Sequence, residues 1–195
     1  MPDAIGNIAK DLAFSQDEYA ERCRRLRALM PEAGIDAMLV HQPPSVFYFS
    51  GYENLHVYDS ECVIIPQDGP VGLLVPHADL ARAQLTAWIE PALTFLPGAE
   101  PAAILSQRLV EQGLSRARIG VDKRVARAAG LSVHVFEALR AALPQARFWR
   151  SASSRVSAYA IAVSSHRASA CSRFAACRAR PAWFLAEPAS RSSAP

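Results

Sequence analysis

The 195-residue chain has 21 Lys and Arg against 18 Asp and Glu, a net charge of +3, and 51% hydrophobic residues. The excess is unevenly placed: residues 1–150 carry 15 basic and 17 acidic side chains, net −2, whereas residues 151–195 carry 6 against 1, net +5. The body therefore lacks the basic face, interleaved with aromatics or glycines, that a nucleic-acid binder presents, and nucleic acid is not expected as a partner.

The segment before Phe14 contains Asp3, Lys10 and Asp11 and no apolar core, so it does not read as a secretory signal. No run approaches the roughly 18 apolar residues of a membrane span. A soluble, cytoplasmic protein without membrane contact is expected. Ser15-Gln-Asp-Glu18 has the spacing of a helix-capping box. Tyr19, Cys23, Leu26, Met30 and Ala33 then recur at helical steps along one stripe, and Gly34 supplies the stop. Arg22, Arg24, Arg25 and Arg27 fall between stripe positions and are expected on the solvated side of this helix.

Ile35 to Val40 reads as an interior strand. Pro43 and Pro44 break it and suit the first turn of a short helix, where a missing amide costs nothing. Phe47, Tyr48, Phe49 and Tyr52 crowd the following residues, and Gly51 sits where a reversal needs positive φ. Residues 60–66 and 71–76, separated by an Asp-Gly turn signal, read as a hairpin. Beyond it the order alternates: helix 79–88, strand 92–96, helix 101–112 with Pro at its start and Gly113 at its stop, strand 116–122, helix 131–143, edge strand 146–149. This describes an α/β fold: a mixed sheet of about five to six strands with one hairpin, flanked by helices.

Composition then changes. From Ser151 the chain holds 13 Ala, 11 Ser and 6 Arg, with no Gly, no Lys and one acid, Glu187. Ala, Arg, Ser and Pro dominate out-of-frame translation of GC-rich DNA, and such a tail has too little apolar periodicity to form a core. The expected organisation is an extension over 1–13, one domain over 14–150, and a tail over 151–195 that is disordered or out of frame.

Chemistry-bearing motifs are sparse. Cys23, Cys62, Cys171 and Cys177 form no C-x-x-C pair, and Cys23 and Cys62, with apolar neighbours, read as buried thiols. No H-E-x-x-H, G-x-G-x-x-G or P-loop occurs. His41, at a strand end, and His56, after the aromatic segment, are the better functional histidines; His77 and His134 read as structural or solvated. His56 with Tyr52 and Tyr58 could hydrogen-bond a polar substrate or pack at an interface.

The ordered set Phe14-x-x-x-Glu18-Tyr19, Arg22 with Leu26-Arg27, Gly34-Ile-Asp36-Ala-x-Leu-Val40, Phe47-Tyr48-x-x-Gly51-Tyr52, Leu73-Leu-Val-Pro76 and Arg118-Ile-Gly-Val-Asp122 resembles the N-terminal domain of the creatinase, prolidase and aminopeptidase P metallohydrolases. The resemblance covers residues 14 to 150. It implies a first domain that supports dimer contacts and can place residues beside a neighbouring subunit's active site. It also implies a second, pita-bread domain whose Asp, His and Glu ligands hold two divalent metal ions. After residue 150 only Glu187 and His166 are of ligand type, so that cluster cannot be assembled there. The expectation is a non-catalytic, oligomerisation or substrate-shaping domain without hydrolytic activity or cofactor of its own. Its loop residues would be Tyr52, His56 and Tyr58, and its partner a second copy or an intact homologue. The alternative is a stand-alone module that binds a small molecule or protein through the aromatic loop 47–58.

Overall fold

The computed structural model describes residues 9–53, 60–122 and 132–150. The tail from Ser151, together with His56 and Tyr58, lies outside the described residues.

Helix α1 (Gln16–Ala33) starts on Ser15, whose side chain accepts from the Glu18 amide, and stops at Gly34 in the left-handed conformation with φ 65°. Its stripe of Tyr19, Cys23, Leu26 and Met30 is buried. The capping box is half-formed in its reciprocal sense, because the Glu18 carboxylate turns to Arg22 Nε at 2.9 Å. Strand β1 (Ala37–Val40) follows, then α2 (Pro43–Ser50), opened by its two prolines and closed at Gly51 with φ 80°. Strands β2 (Cys62–Pro66) and β3 (Gly72–Pro76) form the expected antiparallel hairpin. A single 3-10 turn at His77–Asp79 leads into α3 (Leu80–Thr86). The remaining elements are β4 (Leu93–Phe95), α4 (Pro101–Glu111), β5 (Arg118–Val121), α5 (Val133–Ala142) and β6 (Arg147–Arg150).

The six strands make one sheet in the order β4-β3-β2-β1-β5-β6. β1, β5 and β6 run parallel, as do β3 and β4, and β2 alone is reversed between its neighbours. All four residues of β1 are buried, as a central strand covered on both faces requires. Met38, Val40, Val63, Ile65, Leu73 and Val75 face a cluster with α1, α2 and α3. Ala37, Leu39, Ile64, Leu74, Ile119 and Val121 face a second cluster with α4 and α5. The result is a helix, sheet, helix sandwich.

One reading of the sequence needs correction. Arg22 is not on the solvated side of α1: it is 5% exposed, and its guanidinium stacks on the rings of Phe14 and Tyr48 at 4.1 and 4.4 Å. Its Nη1 donates to the Tyr48 carbonyl at 3.0 Å. Aromatic faces and a carbonyl replace the water that a guanidinium otherwise needs, so the charge can be buried. Arg27 likewise reaches inward, donating to the carbonyls of Pro66 at 2.9 Å and Gly69 at 2.6 Å and tying α1 to the hairpin turn. Lys10 and Asp11, placed by sequence in an extension, bind the body, Lys10 Nζ donating to Ala87 O at 2.5 Å and the Asp11 amide to Leu85 O at 2.9 Å.

Candidate functional site

The topology brings the carboxyl ends of β1, β3, β4, β5 and β6 and the amino end of β2 to one rim. The chain leaves β1 through α2 on one face and β5 through α5 on the other. This divergence between adjacent parallel strands is where open α/β sheets form their binding crevices.

Asp122, directly after β5, bridges the divergence. Its Oδ1 accepts the His41 amide at 2.7 Å and its Oδ2 the Gln42 amide at 3.2 Å, capping the end of β1. Burial pushes this carboxyl up to about 7, against the lowering effect of those amides. His41 is 3% exposed. Its Nδ1 lies 2.9 Å from the Glu61 carbonyl, which can only accept, so Nδ1 carries the proton. Nε2 is then a bare acceptor, buried and without a hydrogen-bond partner among the described residues. Burial depresses the imidazole to about 4. His41 is therefore a neutral histidine that fastens β1 to the start of β2.

Tyr52 is fully buried, and its hydroxyl donates to Asp79 Oδ2 at 2.8 Å, joining the end of α2 to the turn before α3. Burial, then the Asp79 hydrogen bond and charge, raise the phenol. Phe49 is also in the core, and Tyr48 stacks on Arg22. Tyr48, Phe49 and Tyr52 are thus committed to packing, and Tyr52 is fixed by its bond to Asp79. His77 Nδ1 stands 3.4 Å from Thr94 Oγ1, and the exposed His134 pairs with Glu100 across the starts of α5 and α4 at 2.8 Å. Cys23 and Cys62 are buried thiols. Burial pushes Cys23 up to about 12 and Cys62 well above its ordinary value, which leaves both in the unreactive thiol form.

Among the described residues no three His, Cys, Asp or Glu side chains are placed to hold a metal ion. The two metals of the resembled hydrolases do not fit these residues. No described helix is long and apolar enough to cross a membrane.

The sequence profile of the Creatinase/Prolidase N-terminal domain matches residues 22–156. The chain belongs to this family. The ectoine hydrolase of Halomonas elongata is 25% identical over 150 residues, a stretch covering 72% of this chain and 37% of that protein. Among solved structures, the N-terminal domain of the cytoplasmic peptidase PepQ from Mycobacterium tuberculosis superposes with a TM-score of 0.55 at 20% identity, covering 73% of this chain and 98% of that one. The corresponding domain of an X-Pro dipeptidase from Streptococcus pyogenes gives 0.55 at 17% identity, covering 68% and 94%. A dipeptidase from Pyrococcus horikoshii gives 0.54 at 20% identity, covering 67% of this chain but 34% of its own. The chain thus spans about a third of the ectoine hydrolase and of the Pyrococcus dipeptidase.

Asp122 and Glu61 were not singled out by sequence reading, because a lone carboxylate at a strand end gives no periodic signal. The resemblance contained Asp122 as the last residue of Arg118-Ile-Gly-Val-Asp122, which was the available clue.

Proposed function

We propose that this chain is the non-catalytic N-terminal domain of a metal-dependent C–N hydrolase of the Xaa-Pro peptidase or ectoine hydrolase kind, working in the cytoplasm. It self-associates or pairs with an intact homologue and shapes an active-site mouth with the segment that runs from Tyr52 through His56 to Tyr58. One observation carries the reading: the similarity to full-length hydrolases is confined to about a third of their length. The rim supports it, since Tyr52 bonded to Asp79 fixes one root of that segment and Glu61 beside β2 fixes the other.

The test is an assay of the full chain, supplied with Mn2+ or Zn2+, for release of proline from an Xaa-Pro dipeptide and for ectoine hydrolysis, alongside its mass in solution. No turnover and a mass of two or more chains are expected. Turnover that rises with chain concentration and disappears with EDTA would overturn the non-catalytic assignment; a strictly monomeric mass that persists when an intact homologue is added would overturn the association.

A further inference from the structure

Strand β6 closes one end of the sheet, and no strand among the described residues pairs with its outer edge. The Arg147 amide donates to Ala117 O at 2.9 Å. In a parallel ladder alternate residues bond the same neighbour, so Arg147 and Trp149 bond inward to β5 while Phe148 and Arg150 turn N–H and C=O outward. The two faces of this edge differ. Phe148, opposite Ile119, lies on the α5 side and meets Phe136 edge to face at 5.7 Å. There a groove of about 680 Å³ runs between α5 and β6. Trp149, opposite Gly120, lies on the other face together with Arg147 and is 60% exposed. A further hollow of about 550 Å³ joins Arg116, Arg118 and Arg147 at the start of β6.

The charges on this flank are lopsided. Asp36 is held by Arg118 at 2.8 Å and Glu137 by Arg140 at 3.3 Å. Arg116 Nε is held by the neutral amide oxygen of Gln145 at 2.7 Å. Arg116 and Arg147 thus have no carboxylate among the described residues. Charged side chains ordinarily protect an edge strand from pairing, but a single sign of charge repels only partners that share it.

We propose that the β6 edge is a docking site for an extended acidic segment of a partner protein, which adds a seventh strand. Its backbone pairs with Phe148 and Arg150. Its carboxylates meet Arg147 and Arg116 on the Trp149 face, and its alternate apolar side chains enter the groove beside Phe148 and Phe136. Main-chain bonds supply affinity and the alternating side chains supply selectivity, as in other strand additions. A second copy of the chain fits this edge poorly, because it would bring two sets of unneutralised arginines together. The segment after Ser151 fits poorly as well, having Glu187 as its one acid.

The probe is a labelled, capped heptapeptide alternating Glu and Val, titrated against the full chain. Controls are a Lys/Val counterpart, a version with Pro at alternate positions, and an oligothymidylate of matched charge. The Glu/Val peptide is expected to bind with an affinity that falls as salt rises, at least about tenfold tighter than the Lys/Val peptide. It should also slow exchange of the Phe148 and Arg150 amides. Arg147→Glu should weaken it about tenfold, whereas Arg24→Glu on the exposed side of α1 should not. Equal binding of the Pro-interrupted peptide would reduce the site to charge alone, and tighter oligothymidylate binding would make it a nucleic-acid surface. Amides of Phe148 and Arg150 already protected in the free chain, or self-association abolished by Trp149→Ala, would show that another occupant holds the edge. Each of these four results overturns the proposal.

Discussion

His41 and Asp122 are neighbours through a backbone hydrogen bond of 2.7 Å, yet their proton linkages oppose. His41 falls from 6.5 to about 4, so its contribution to stability is whole above pH 6.5 and is lost as pH drops through 4. Asp122 rises from 3.8 to about 7, so its contribution is whole below pH 3.8 and is lost as pH climbs through 7. The two slopes oppose each other where both apply, between about pH 4 and pH 6.5. Replacing either group should expose the other. Relative to the wild type, His41→Asn should gain stability as pH is lowered from 7 to 4.5, and Asp122→Asn should lose it. The check is the urea midpoint of each variant at both pH values; parallel shifts in all three proteins would contradict opposed titration. Little of this was legible in the sequence. Tyr19 and Leu26 were read as core from their spacing, but Arg22 was read as solvated, because periodicity registers hydrophobicity and is blind to a guanidinium buried between rings.

The elements themselves were largely legible where a physical stop marks them. Ser15, Gly34, the Pro43-Pro44 pair, Gly51 and Gly113 each end or begin a helix where the sequence placed the boundary. The exception is instructive: the helix read over 79–88 begins as a 3-10 turn and ends at Thr86, with Ala87 already extended and buried. Asp79 stands at the N-cap but gives Oδ2 to Tyr52 and makes no cap bond to the helix amides, and Ala87 at the other end has no side-chain cap to offer. Two stop glycines separate local strain from tertiary crowding. Gly113 has φ 74° and nothing within 4 Å of an added Cβ. Gly51 has φ 80°, and its Cβ would lie 2.6 Å from Thr86 O and 2.8 Å from Tyr19 Oη. Gly113→Ala should cost the about 1–2 kcal/mol of a left-handed alanine. Gly51→Ala should add an overpacking penalty of about 1–3 kcal/mol. Chemical denaturation of the two variants decides it; equal losses would mean that the α2 turn relaxes freely.

At the scale of the whole molecule, stability should grade from the middle of the sheet outward. β1 pairs on both sides and is buried on both faces, whereas β4, among the described residues, pairs only with β3 and is half-exposed. Native-state hydrogen exchange should find the amides of Met38, Leu39 and Ile64 slowest, and those of β4 and the outward-facing ones of β6 fastest. Uniform exchange would contradict a sheet that opens from its edges. The sheet's class was readable from alternating helix and strand signals, but its strand order was not, because pairing between distant strands leaves no local pattern. The candidate site was not legible as a unit: the sequence marked the aromatic segment, whereas the carboxylate bridging β1 and β5 emerged only from the fold. That bridge gives the rim an engineering character. His41, Tyr52, Asp122 and Val135 are held by bonds to one another or to Glu61, Asp79 and Ser132, all among the described residues. These bonds tie the ends of β1, α2 and β5 to one another across the rim, so the sheet should keep its fold when residues 54–59 or 123–131 are exchanged for those of a relative, with circular dichroism and the urea midpoint as the check.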